Sequence, residues 1–164
     1  MIGKKMATAL NEQMNHEFYN SRLYLAMAAF FHDLNMEGGA HWMELQAQEE
    51  TGHAMRLYSY LKERGGRIML EAIQAPPMEW DSPLAAFEAA YQHECSVTKE
   101  FDQLVELACA EKDNATLNFL QWFVTEQVEE ESTVDAVVQK IKMAHDAPGA
   151  IFMIDRMLAQ RGQA

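Results

Sequence analysis

Four amphipathic segments of this chain each place an acidic residue in the middle of a face that is otherwise apolar. In the first segment, steps of three and four residues from Leu10 to Phe31 trace an apolar stripe that Glu17 interrupts. A buried carboxylate is unfavourable unless a cation, a proton or a polar partner compensates it. Because the pattern recurs, a folded chain must bring several carboxylates into its interior. The corresponding residues in the other three segments are Glu50, Glu94 and Glu130.

The spacing of apolar residues predicts an all-α protein with four long helices and a short fifth one. Gly38 and Gly39 are expected to separate the first two helices, and Gly65 to end the second. Asp146 and Pro148 are expected to end the fourth helix. The predicted ranges are about 5–34, 40–64, 83–110, 115–144 and 150–160.

The predicted fifth helix is largely apolar, although a bundle of four helices does not need it to close its core. Exposed apolar side chains of this kind are typical of a surface that contacts another subunit. We therefore expect a subunit contact through its apolar residues Ile151, Phe152, Ile154 and Leu158.

The stretch from Arg67 to Ser82 has no helical periodicity and contains Pro76 and Pro77, which cannot donate the amide hydrogen bonds of a helix interior. At roughly 3.3 Å per residue, a segment of this length can run along the roughly 40 Å of a long-helix bundle. The second and third helices are therefore predicted to be parallel. Residues 1–164 are predicted to form a single domain.

The two halves of the chain repeat the same polar pattern at an interval of 77 positions. Glu17 corresponds to Glu94, Glu50 to Gln127, and His53 to Glu130. Two helical hairpins with matching polar centres would be related by an approximate two-fold axis, which brings their carboxylates to one depth in the bundle. A solvated acidic face is the alternative, but agreement at several positions favours a shared metal centre.

Glu50 and His53 are three positions apart and therefore project from the same face of a helix. A carboxylate beside an imidazole suits iron, manganese or zinc, and a carboxylate that can bridge two ions favours a pair of irons. The motif alone is weak evidence. It gains weight from the carboxylates of the other helices.

Acidic residues outnumber basic ones by 25 to 13, and the formal net charge is −12. Such a surface repels nucleic acid and attracts cations. The first residues lack the apolar core of a secretory signal, and the most apolar run is too short to cross a bilayer. We therefore expect a cytoplasmic protein that binds neither nucleic acid nor membranes.

Together with these carboxylates, the stretch from Asn118 to Glu131, NFLQWFVTEQVEEE, resembles the bacterial non-haem ferritins. The resemblance covers nearly the whole chain, including the crossover and the short fifth helix. It implies a ferritin-like four-helix bundle with a long crossover between helices two and three. It also implies a homo-oligomeric hollow shell of 24 subunits that oxidises Fe(II) with dioxygen and stores ferric oxyhydroxide inside.

The resemblance further implies a diiron centre within each subunit. Glu17, Glu50 and His53 are expected to hold the first iron. Glu50 is expected to bridge to a second iron that Glu94 also binds, with two side chains of the fourth helix close by, Gln127 and Glu130.

A third iron site is also implied, and four residues match its ligands: Glu49, Glu126, Glu129 and Glu130. A solvated acidic face remains the alternative for Glu129. Tyr24 matches a tyrosine that lies beside the diiron centre in this family and is expected to supply an electron. A core tyrosine with a satisfied hydroxyl is an equally good interpretation.

Haem is not expected. The related haem-containing bacterioferritins carry a second Glu-x-x-His on the fourth helix and a methionine directly after the bridging glutamate. This chain has Gln127-x-x-Glu130 and Thr51 at those positions. The alternative function is a shell subunit that only nucleates mineral. A complete ligand set favours a ferroxidase instead.

Overall fold

The structure is a computed structural model that describes residues 1–144, 147 and 149–162. The predicted helix end at Asp146 and Pro148 lies outside the described residues. Within them, no helix is long and apolar enough to cross a membrane. The prediction of an all-α protein is confirmed. The helices are α1 (Lys4–Asp33), α2 (Glu37–Glu63), α3 (Pro83–Ala110), α4 (Asn114–Ala144) and α5 (Ala150–Leu158).

The four long helices form two hairpins, in which α1 packs on α2 and α3 packs on α4. Phe87, near the start of α3, packs against Phe31 near the end of α1, with ring centroids 5.4 Å apart. Ala108, near the end of α3, shares a core cluster with Met6 at the start of α1. Helix α3 therefore runs antiparallel to α1 and parallel to α2, as predicted.

Two asparagines of α1 hold the crossover between α2 and α3 against the bundle. The Asn11 side chain donates to the carbonyl of Arg67 at 2.9 Å and accepts from the amide of Met69 at 2.7 Å. One helical turn later, Asn15 donates to the carbonyl of Met69 at 2.8 Å and accepts from the amide of Glu71 at 2.9 Å. These bonds satisfy backbone groups that no regular structure pairs, and they direct the crossover along α1.

The core consists of two apolar clusters at opposite ends of the bundle. One contains Phe31 and Phe87, and the other contains Leu10, Phe101 and Phe123. The buried acidic residues lie along the helices between the two clusters. Apolar packing at both ends keeps water away from this polar layer, which therefore has a low effective dielectric constant.

Gly38 and Gly39 do not end a helix, so the prediction of a break there was wrong. Both residues lie in the first turn of α2. A Cβ at Gly38 would lie 1.8 Å from the carbonyl oxygen of Asp155, and a Cβ at Gly39 would lie 2.6 Å from the ring of Phe31. Because these two positions have no side chain, α5 packs closely against α2 at Gly38 and α1 packs closely against α2 at Gly39. Gly65, with φ of +70°, follows the end of α2 as predicted.

The prediction that the apolar residues of α5 are exposed was wrong at two of them. Ile154 and Leu158 are buried, because α5 packs against α2 and α4. Phe152 and Met153 remain 63% exposed in the single chain. The subunit contact through α5 stays a prediction, and it now rests on these two side chains rather than on the whole apolar helix.

Replacing Gly38 with alanine should lower the free energy of unfolding by about 1–3 kcal/mol, because the new methyl group would push α5 away from α2. The same substitution at Gly52 in α2, where a Cβ would meet no atom within 4 Å, is the control. It should be neutral or stabilise the protein by up to about 1 kcal/mol, because alanine favours the helix. Guanidinium unfolding of both variants tests this, and equal effects would show that Gly38 does not position α5.

Candidate metal centre

Each of the four long helices contributes an acidic side chain to the polar layer. Glu17 is fully buried, and Glu50, Glu94 and Glu130 are between 1% and 5% exposed. His53 and Gln127 are also buried. The structure thus brings into the interior all six residues predicted for the diiron centre. Their roles as iron ligands remain a prediction.

Glu17, Glu50 and His53 lie close enough together to bind one metal ion, and we call such a cluster of potential ligands a metal-sized group. Their potential ligand atoms all lie within 4.8 Å of one another. His53 Nδ1 is 3.3 Å from Glu50 Oε2, as the spacing of three residues along α2 predicts. These are the residues expected to hold the first iron.

Glu94, the residue expected to bind the second iron, accepts hydrogen bonds from two neighbouring side chains. The Tyr24 hydroxyl donates to one oxygen of Glu94, and Gln127 Nε2 donates to the other at 3.2 Å. Burial is the largest cause of the raised pKa of both Glu50 and Glu130, and the negative charge of Glu94 raises both further, so the three carboxylates share one electrostatic environment. Tyr24 is therefore both a buried tyrosine with a satisfied hydroxyl and a direct neighbour of the centre.

Three further amides hold the carboxylates, and the sequence interpretation gave none of them a role. Gln13 donates to Glu17 at 2.8 Å, and Asn20 donates to the other oxygen of Glu17 at 2.9 Å. Their positions, four residues before and three after Glu17, are a signal that could have identified them. Gln46 Nε2 donates to Glu50 at 3.2 Å and to Glu130 at 2.7 Å.

Burial raises the pKa of every carboxylate in the layer. Loss of solvation is the largest cause for Glu17, and the charge of Glu50 adds to it; the pKa of Glu17 lies well above its usual range. Burial likewise raises the pKa of Glu94, and it raises that of Glu130 to about 7. Among the described residues, no ion pair joins a lysine or arginine to these carboxylates.

The donor set fits iron. It combines hard, anionic oxygen ligands with one imidazole, and no lysine or arginine among the described residues forms an ion pair that would balance the buried negative charge. A divalent metal would replace the protons that the raised pKa values retain. The chemistry of the site therefore favours a pair of metal ions over a permanently protonated cluster.

The structure assembles only part of the predicted third iron site. Glu126 and Glu130 form a metal-sized group with His53, again with ligand atoms within 4.8 Å of one another. Glu49 is exposed and is held by Arg161, whose Nη2 lies 2.6 Å from its Oε2. Glu129 is exposed and belongs to neither metal-sized group of the described residues.

Comparison with known proteins agrees with this fold and this arrangement of carboxylates. The family described as "Ferritin-like domain" matches residues 7–144. The chain belongs to the ferritin family. A bacterial non-haem ferritin of Bacteroides fragilis is 47% identical to this ferritin chain over 161 residues, which cover 98% of it and 100% of the relative.

A second bacterial non-haem ferritin, from Staphylococcus saprophyticus, is 41% identical over 98% of this ferritin and 96% of its own length. Among solved structures, an open-pore ferritin from Archaeoglobus fulgidus is 48% identical, with a TM-score of 0.97 over 98% of this chain and 99% of that one. The relatives therefore match the long crossover and α5 as well as the four-helix bundle.

The metal-free ferritin should lose stability as the pH rises, because Glu130 binds a proton more tightly in the folded state. Its pKa is about 7 in the folded state, against an ordinary value of 4.5. The proton on Glu130 therefore stabilises the folded state at low pH, and this contribution is lost as the pH rises through about 7. Replacing Glu130 with glutamine should reduce the loss of stability between pH 5.5 and 7.5 by about 1–2 kcal/mol.

Chemical unfolding of the metal-free protein at both pH values, with chelator present, measures this effect. Glu129→Gln changes the neighbouring exposed residue and is the matched control. Comparing variants removes the contributions of other titrating groups, such as His93, whose pKa burial lowers to about 4. The same pH dependence in wild type and Glu130→Gln would contradict the prediction.

Proposed function

We propose that this ferritin oxidises Fe(II) with dioxygen at a centre inside each subunit and stores the ferric product as an oxyhydroxide mineral within a hollow shell. The observation that carries the proposal is the convergence of Glu17, Glu50, Glu94 and Glu130 with His53 in a water-poor layer of the bundle. Membership of the ferritin family supports the same function.

The arrangement of ligands explains how the centre would handle its substrate. Glu17, Glu50 and His53 would bind one Fe(II), and Glu94 would bind the second, with Glu50 between the two. Two Fe(II) ions together supply the two electrons that reduce dioxygen to the peroxide level, so no free superoxide need form. Carboxylates are hard anionic ligands that stabilise Fe(III) relative to Fe(II), which favours oxidation.

The surrounding side chains would keep this ligand geometry in place. Gln13 and Gln46 each donate a hydrogen bond to a carboxylate oxygen, which limits its rotation before iron arrives. Tyr24 does the same for Glu94. Because the carboxylates have raised pKa values, binding of Fe(II) would release protons. In this proposal Tyr24, whose hydroxyl contacts Glu94, also supplies an electron to the reaction.

The shell itself is also part of the proposal. We infer a homo-oligomer of 24 subunits in the cytoplasm, and the exposed Phe152 and Met153 of α5 supply apolar area for contacts between subunits. The net charge of −12 attracts Fe(II) and disfavours nucleic acid. A third iron site would use Glu126 and Glu130, joined by two exposed carboxylates, Glu49 and Glu129.

A non-catalytic shell subunit that only nucleates mineral is the alternative function. Such a subunit needs acidic residues on a solvated surface rather than in the interior. The burial of Glu17 and Glu94 at 0% and 1% exposure favours the ferroxidase.

Adding Fe(II) to the metal-free protein should produce a fast phase of dioxygen consumption that ends at about two irons per subunit. A Glu17→Ala, His53→Ala double variant should lose this phase. The rate should fall by at least about tenfold, the loss typical even of residues that only support metal ligands. An oxygen electrode measures both proteins after size-exclusion chromatography has shown equal assembly.

The matched control is Glu12→Ala, His32→Ala, which removes the same residue types from exposed positions of α1. It should keep the fast phase. If wild type and the Glu17→Ala, His53→Ala variant oxidise iron equally slowly, the ferroxidase proposal fails and the nucleating shell takes its place.

A further inference from the structure

The chain after α5 folds back on α2 and places a fixed cation beside the metal centre. Arg161 Nη2 donates to Glu49 Oε2 at 2.6 Å and to Gln46 Oε1 at 2.8 Å. Its Nη1 donates to the carbonyl of Trp42 at 3.2 Å, and its guanidinium lies 4.2 Å from the centroid of the Trp42 ring. His41 Nε2 is 3.0 Å from the Arg161 carbonyl oxygen. The side chain is only 18% exposed, so these contacts define one position for it.

Glu49 lies at the edge of a group that is large enough to hold a metal ion. Glu126, Glu130 and His53 have potential ligand atoms within 4.8 Å of one another. Arg161 connects Glu49 to this group, because it also donates to Gln46, whose Nε2 donates to Glu130 at 2.7 Å. The carboxylate of Glu49 itself bonds to Arg161. A carboxylate that borders the group is therefore already engaged by a cation of the protein itself.

We propose that Arg161 competes with a third iron for Glu49, so that this iron binds among Glu49, Glu126 and Glu130 only by displacing the guanidinium. The proposal rests on the function proposed above, since it requires a diiron centre beside which the third iron binds. It gives the segment after α5 control over how tightly the third iron is held.

The competition follows from charge and from geometry. A guanidinium is a planar cation with several N–H donors, so Arg161 binds the Glu49 carboxylate through charge as well as through its hydrogen bond. It occupies one oxygen of Glu49 with a charge-assisted hydrogen bond, so that this oxygen is not free to bind a divalent cation. Stacking on Trp42 and the bond to its carbonyl keep Arg161 in place while Glu49 is free of metal.

The first two iron positions should not respond to Arg161. Gln46 accepts from Arg161 through Oε1, but it donates through Nε2 to both Glu50 and Glu130. These two carboxylates hold the amide in the same orientation when Arg161 is absent. Loss of the guanidinium should therefore change the third iron site alone.

The decisive experiment is calorimetric titration of the assembled, metal-free protein with Fe(II) in the absence of dioxygen. Arg161→Met keeps an apolar stem against Trp42 and removes the charge. It should bind the third Fe(II) per subunit about three- to tenfold more tightly than wild type, as expected for the loss of a partly exposed competing ion pair. The first two binding steps should be unchanged.

Three further variants test whether the guanidinium of Arg161 causes the change in affinity. Arg161→Lys keeps the positive charge but lacks the planar guanidinium that stacks on Trp42, so its third-step affinity should lie between those of wild type and Arg161→Met. Arg161→Gln is a second neutral variant and should reproduce the gain of Arg161→Met. Arg156→Met makes the same chemical change at an exposed position of α5 and should have no effect.

The effect should also depend on Glu49. In a Glu49→Gln background, Arg161→Met should cause no further change in the third step. Equal third-step affinities in wild type and Arg161→Met, no third step in either protein, or a gain that persists without Glu49 would each overturn the proposal. Absence of the first two steps in the wild type would instead contradict the proposed ferroxidase.

Discussion

The burial of four carboxylates at one level of a helical bundle is the interaction on which the rest of the structure depends. Glu17, Glu50, Glu94 and Glu130 repel one another in a region with little water, and within the described chain no lysine or arginine forms an ion pair with them. Neutral amides and the Tyr24 hydroxyl donate to them, but a neutral donor does not cancel a charge. In the metal-free protein, the protons that the carboxylates retain reduce the repulsion between them. When Fe(II) binds, its positive charge balances the negative charge of the carboxylates.

The architecture confines this unfavourable layer and makes it useful. Apolar clusters at both ends of the bundle supply the stability that the layer lacks and exclude water from it. The hydrogen bonds of Asn11 and Asn15 direct the crossover along α1, so that α3 returns antiparallel to α1 and places Glu94 beside Glu50. A layer that destabilises the metal-free protein is thereby converted into a binding site for a pair of cations.

Much of this could be predicted from the sequence, because helical periodicity and buried charge are local and repeated signals. The four long helices, the parallel arrangement of α2 and α3, and the burial of Glu17 and Glu94 all follow from residue spacing. Gly38 and Gly39 misled the prediction, because a glycine that permits close packing has the same local pattern as one that ends a helix. The positions of Asp155 in α5 and Phe31 in α1 distinguish the two cases.

The remaining features depend on contacts between distant parts of the chain. Arg161 meets Glu49 only because α5 folds back on α2, and no periodicity relates residues more than a hundred positions apart. The burial of Ile154 and Leu158 has the same origin. Gln13 and Asn20, in contrast, could have been found, since each is within one helical turn of Glu17 and can reach its carboxylate.

The most direct measurement is the guanidinium unfolding midpoint of the metal-free protein at neutral pH during titration with Fe(II) in the absence of dioxygen. If iron balances the buried charge, the midpoint should rise up to about two irons per subunit, by an amount that grows with the logarithm of free Fe(II). The rise should be absent when Glu17 and His53 are both replaced with alanine. A midpoint that does not respond to Fe(II) in the wild type would contradict the view that the carboxylate layer exists to bind iron.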